Sequence, residues 1–125
     1  MSTRVPMRFP EVPLLWSVTG VYSPAECDDF IANIEAWSPA LATNNPIYRD
    51  QDRVVRDDAP LATDLFGRLA SHLPAAMGPL QLAGLNERLR FYRYRNGQKF
   101  APHTDHWYQP SDHEITLLTV LVYFN

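Results

Sequence analysis

Two hydrophobic rhythms divide this chain, and the change from one to the other comes near Leu85. Upstream, Cys27, Phe30, Ile31 and Ile34 recur at i, i+3, i+4 and i+7, the spacing that keeps apolar groups on one helical face. Ser23-Pro24-Ala25-Glu26 precedes them in capping-box form, with serine at N-cap, proline at N1 and glutamate at N3. The pattern predicts a helix from there to about Trp37. A second helix is expected after Asp57-Asp58 and Pro60, where Leu61, Leu65, Leu69 and Leu73 repeat every four residues and Pro74 stops the run.

Downstream the texture is that of strands. Arg88-Leu89-Arg90-Phe91-Tyr92-Arg93-Tyr94 has high strand propensity, and Asn96-Gly97 favours the positive φ angles of a tight hairpin turn. Residues 115–125 read as one long buried strand. Two further strands are expected: residues 14–22 ahead of the first helix, and a short one at Arg53-Val54-Val55-Arg56. Residues 38–52 read as a loop with Asn44-Asn45-Pro46 as a turn, the charged stretch 49–58 as mainly solvated, and residues 74–84 as a connector. Helices followed by strands make an α+β domain, helices backing one face of a β-rich core.

Composition narrows the class. The 125 residues are one domain's worth of chain, and 46% hydrophobic with 20% charged residues excludes a disordered or collagen-like polymer. A net charge of −3 gives no electrostatic footprint for nucleic acid. No apolar run is long enough for a membrane span, and residues 1–6 carry no apolar leader segment. Cys27 is the single cysteine, so no internal disulfide forms, which fits a reducing, cytoplasmic setting; within a helix it is expected to be a buried structural thiol.

The chemistry centres on His103-Thr104-Asp105. Pro102 holds its predecessor extended, and on an extended segment residues two apart face the same side. Imidazole and carboxylate without thiolate suit a non-haem Fe(II) centre of the two-histidine, one-carboxylate kind. The pair alone is a weak signal, since residue frequencies place such a triplet in roughly one chain in four or five of this composition. Zinc stays open, with His103, Asp105, His106 and His113 as the available ligands. His72 reads as a surface residue at a helix C-terminus.

A longer pattern surrounds the pair. The run from Tyr94 through Gly97 and Phe100 to His103 and Asp105 resembles the Tyr-x-x-Gly-x-x-Phe/Tyr-x-x-His-x-Asp signature of prolyl 4-hydroxylase-like 2-oxoglutarate/Fe(II) dioxygenases. Thr119-Val120-Leu121-Val122-Tyr123-Phe124-Asn125 resembles that family's following Thr-x-Leu-x-Tyr-Leu-Asn strand, and Ser23-Pro24-Ala25-Glu26-Cys27 its early helix. The resemblance implies a double-stranded β-helix, or jelly-roll, core. It implies His103 and Asp105 as iron ligands and Tyr94, Thr119, Leu121 and Tyr123 as the lining of the 2-oxoglutarate pocket. It implies Fe(II) as cofactor, 2-oxoglutarate and O2 as cosubstrates, ascorbate as accessory reductant, and hydroxylation of a C–H bond on peptidyl proline, another side chain or a small molecule. The family's distal histidine, and the arginine or lysine that pairs with the cosubstrate's far carboxylate, have no counterpart before Asn125. The chain is therefore expected to be the N-terminal portion of a longer dioxygenase, lacking the last core strands and weak in iron binding and turnover. Two other readings compete. One is a zinc hydrolase using His103, Asp105 and His113 with Glu114 as base; the other is a non-catalytic β-domain that binds a protein through residues 49–58.

Overall fold

The computed structural model describes residues 9–40, 49–103, 105 and 107–125. The first helix, α1, spans Pro24–Asn33, and its start follows the sequence. Ser23 Oγ accepts from the Glu26 amide at 3.1 Å while Glu26 Oε1 accepts from the Ser23 amide at 3.0 Å, so two orphan donors are satisfied reciprocally. The helix stops short of Trp37. Ile34 is already extended, Ala36 adopts a positive φ of 63°, and the Trp37 indole N–H caps the Ile34 carbonyl at 3.1 Å. Cys27 is half-buried rather than buried, because α1 has no fully enclosed residue.

The second helix, α2, covers Ala59–Leu69 behind an Asp58 cap whose carboxylate accepts from the Leu61 amide at 3.0 Å. One 3-10 turn, Ala70–His72, follows, and Leu73 is extended as a residue before proline must be. The leucine repeat holds in its middle: Leu65 and Leu69 are buried with Ala62 one turn ahead of Leu65, while Leu61 and Leu73 are half-buried and Leu73 lies beyond the helix. Phe91 and Ala40 complete the buried apolar set, which is small.

Three antiparallel sheets accompany the helices. The largest has the order β1-β3-β6, with β1 at Ser38–Pro39, β3 at Asp52–Asp57 in the centre and β6 at Arg88–Arg93. Arg49–Asp50 (β2) pairs with Lys99–Phe100 (β7), and Ala76–Met77 (β4) forms a small hairpin with Leu80–Gln81 (β5) inside the expected connector. No closed barrel forms among the described residues.

Several expectations are overturned. Residues 49–58 are not a loop: the short strand expected at 53–56 is present within the central strand β3, and Arg49–Asp50 ahead of it form β2. Two of their charges are paired across the ladder. Asp52 faces Arg93 and Asp57 faces Arg88 in register, with ion pairs at 2.7 and 2.9 Å, so opposite charges sit where cross-strand pairs stabilise. Residues 14–22 form no strand; no partner backbone lies alongside among the described residues, and Leu14 and Leu15 are almost fully exposed. Residues 115–125 likewise form no strand: the Thr116 amide donates to the Tyr108 carbonyl at 2.8 Å, and Ser111 and Glu114 form an isolated bridge just upstream. The period-two alternation survives there in exposure: Val120, Val122 and Phe124 are half-buried, while Leu121, Tyr123 and Asn125 face out. Phe124 stacks on Phe30 of α1, ring centres 4.6 Å apart, which anchors this segment to the helix.

The Asn96-Gly97 turn exists, with Gly97 at φ 81°, but it is not a hairpin. Strand β6 pairs with β3, and β7 pairs with β2. Between these two ladders a single residue, Gln51, faces the five residues from Tyr94 to Gln98. The turn is thus an excursion looped out of one long, bent antiparallel ribbon. Its base is closed by the Gln98 amide on the Arg95 carbonyl and the Arg95 amide on Gln98 Oε1.

Candidate functional site

The excursion sets the geometry of the site. The ladder resumes at Lys99–Phe100, and the chain then leaves it through Ala101 and Pro102 to His103. His103 Nε2 and Asp105 Oδ1 lie 3.3 Å apart. Two ligands held about 2.1 Å from one ion sit roughly 3.0 to 3.4 Å apart, the span from octahedral to tetrahedral angles, so the pair is spaced for a shared metal. His103 Nδ1 lies 2.8 Å from the Ala101 carbonyl, and donation there leaves the Nε2 lone pair facing Asp105. The imidazole is further held flat against Phe100, ring centres 3.7 Å apart.

A third ligand does not join them. No group of three histidine, cysteine, aspartate or glutamate residues assembles among the described residues. His113 sits in the tight turn around Ser111, its amide on Ser111 Oγ at 3.2 Å, so the zinc set with His113 and Glu114 is not brought together. His106 and Thr104 fall outside the described residues.

The four residues expected to line a cosubstrate pocket divide. Tyr94 opens the excursion and is 49% exposed, with its hydroxyl accepting from Gln51 Nε2 at 3.3 Å. Its phenol is pushed above the ordinary value first by burial, then by neighbouring Tyr92 and Tyr123, against the pull of Arg49. Thr119 and Leu121 share the outward side of their segment with Tyr123, exposed and without an enclosing wall.

Sequence reasoning missed the most unusual residue. Arg49, read as part of a solvated stretch, is only 7% exposed. Its guanidinium lies over the Phe100 ring at 4.1 Å and near the Tyr92 ring at 5.2 Å, yet Nε and Nη2 have no hydrogen-bond partner. Burying a charged group costs several kcal/mol. Two aromatic faces return only about 0.5 to 2 kcal/mol each. The rings therefore offset part of the cost and leave two directed donors unused. Gln51, two residues on and 1% exposed, adds a buried acceptor, Oε1, that is also unpartnered. No local signal could have revealed either residue, since Arg49-Asp50-Gln51-Asp52-Arg53 has the composition of a surface loop.

The same ring connects the two features: Phe100 carries Arg49 and stacks on His103. The His103–Asp105 pair and a buried cation thus lie at the two ends of one short aromatic bridge. Compared with protein-family models, curated proteins and solved structures, the chain matches none.

Proposed function

We propose that this chain carries metal-binding and cosubstrate-binding residues of a 2-oxoglutarate- and Fe(II)-dependent dioxygenase that hydroxylates a C–H bond. The observation that carries the reading is the 3.3 Å approach of His103 Nε2 to Asp105 Oδ1, with Nδ1 committed to the Ala101 carbonyl. In that arrangement His103 and Asp105 would hold Fe(II), which supplies oxidative chemistry when bound with 2-oxoglutarate and O2. Phe100 fixes the imidazole plane, and the phenolic hydroxyls of Tyr94 and Tyr123 would be available for a cosubstrate oxygen. Ascorbate would serve as reductant and a jelly roll as the enclosing fold. The single free thiol, Cys27, and the absence among described residues of a helix long and apolar enough to cross a membrane support a cytoplasmic assignment.

Titration of the chain with Mn(II), followed by the loss of free-ion paramagnetic resonance, tests this. Saturable binding that disappears in His103→Ala and in Asp105→Ala is expected. Identical titrations for the chain and both variants would sink the metal reading.

A further inference from the structure

The chain contains its own precedent for what a free arginine fork takes. Arg93 holds Asp52 Oδ2 through Nε and Nη2 at 3.2 and 2.7 Å, and Arg88 spans both oxygens of Asp57 through the same two nitrogens at 2.9 and 3.2 Å. Arg49 is the neighbour of these residues in the same ribbon, and the identical pair, Nε and Nη2, is buried and empty. Unlike Arg88, which is more than half exposed, Arg49 cannot satisfy these donors with bulk water. The planar fork matches a carboxylate, whose two oxygens accept two parallel N–H bonds.

From this geometry we infer that Arg49 is a carboxylate-binding residue: a small organic acid docks its carboxylate on the Nε/Nη2 fork, between the Phe100 and Tyr92 rings. The aromatic walls exclude water and leave the ligand's carboxylate as the natural counter-charge. Tyr94, half exposed, is tied to this face by the bond from Gln51 Nε2 to its hydroxyl. Gln51 Oε1, unpartnered on the same face two residues away, is placed to accept from a hydroxyl or N–H on the acid. The inference does not depend on the metal reading, because nothing in it passes through His103 or Asp105. If that reading holds, the acid is either the cosubstrate or a carboxylate-bearing substrate.

The test uses the full chain stripped of metal on a chelating resin, so that failure of iron binding and failure of this site are separable. Acetate, 2-oxoglutarate and inorganic phosphate are titrated at constant ionic strength while backbone amide shifts are followed by NMR. Saturable shifts around residues 49–51 and 92–94 are expected with the carboxylates, weakened at least tenfold in Arg49→Met and partly retained in Arg49→Lys, which keeps the charge but not the fork. Arg49→Met should melt at or above the parent temperature, since it replaces an unpaired buried charge by an apolar chain of similar length. Binding of 2-oxoglutarate at least tenfold tighter than acetate assigns the fork to the cosubstrate; equal binding assigns it to a substrate carboxylate. Absence of carboxylate binding, equal binding by Arg49→Met, tighter binding of phosphate than of either acid, or a melting temperature of Arg49→Met far below the parent overturns the inference.

Discussion

Arg68 and Arg49 are both drawn out of full solvent, and they could hardly be used more differently. Arg68 on α2 has a partner for each of its three guanidinium nitrogens. It grips Glu26 with two bonds at 2.7 and 3.0 Å, Asp64 at 3.0 Å and the Val21 carbonyl at 2.9 Å, and lies 4.4 Å over the Tyr22 ring. It ties the start of α1 to the end of α2. Arg49 has two rings and no acceptor for Nε or Nη2. A cation whose nitrogens all have partners holds structure together. One whose donors are buried and unused is a cost to the fold, and such costs concentrate where ligands bind.

Substitutions can break this contrast from either side. The largest expected effect is on the helical side: Leu65→Ala removes one of the few buried apolar side chains and should destabilise by about 2 to 4 kcal/mol in urea denaturation. Arg68→Met comes next. It strands the Glu26 carboxylate and the Val21 carbonyl together, and a melting temperature lowered by several degrees is expected; no change would show the network to be solvent-replaceable.

Acid should act through the same network. Arg68, and then the Ser23 amide, hold the Glu26 carboxyl down at about 2. Its folded value lies below its unfolded one, so this stabilisation is fully present above the ordinary glutamate range and is lost as pH falls through about 2. Melting curves between pH 5 and 2 should therefore show a decline that Glu26→Gln lacks; parallel declines would assign the acid response elsewhere. Ser23→Ala removes only the cap and should cost about 1 kcal/mol by chemical denaturation. Smallest in magnitude and opposite in sign is Arg49→Met, for which no loss of stability is expected. A drop as large as that of Arg68→Met would erase the distinction between the two arginines.

The elements that were legible beforehand are those decided within a few residues. The capping box at Ser23, the leucine repeat of α2, the strand propensity of residues 88–94 and the positive φ at Gly97 each depend on neighbours in sequence. What escaped was pairing. Residues 14–22 and 115–125 have strand composition, yet a strand needs a second backbone that takes up successive hydrogen bonds, and among the described residues no such ladder forms on either stretch. Conversely, Arg49, Asp50 and Asp52 have the composition of a loop and pair because Phe100, Lys99 and Arg93 stand opposite, whereas the strand at 53–56 was legible from its valines. The Asn96-Gly97 turn shows both halves of the lesson: its backbone conformation was readable, and its role as a bulged excursion rather than a hairpin was not.

The candidate site divides along the same line. The residue types, spacing and sequence motif of His103 and Asp105 were set by the chain itself, because two residues on an extended segment behind a proline need no distant partner to share a side. Burial was decided by the tertiary structure. It placed the Arg49 guanidinium among Phe100 and Tyr92, across a ladder of residues about fifty positions apart, and left the fork without a counter-charge. A sequence specifies which groups can donate, accept or carry charge, whereas only the folded chain determines which of them lose their water.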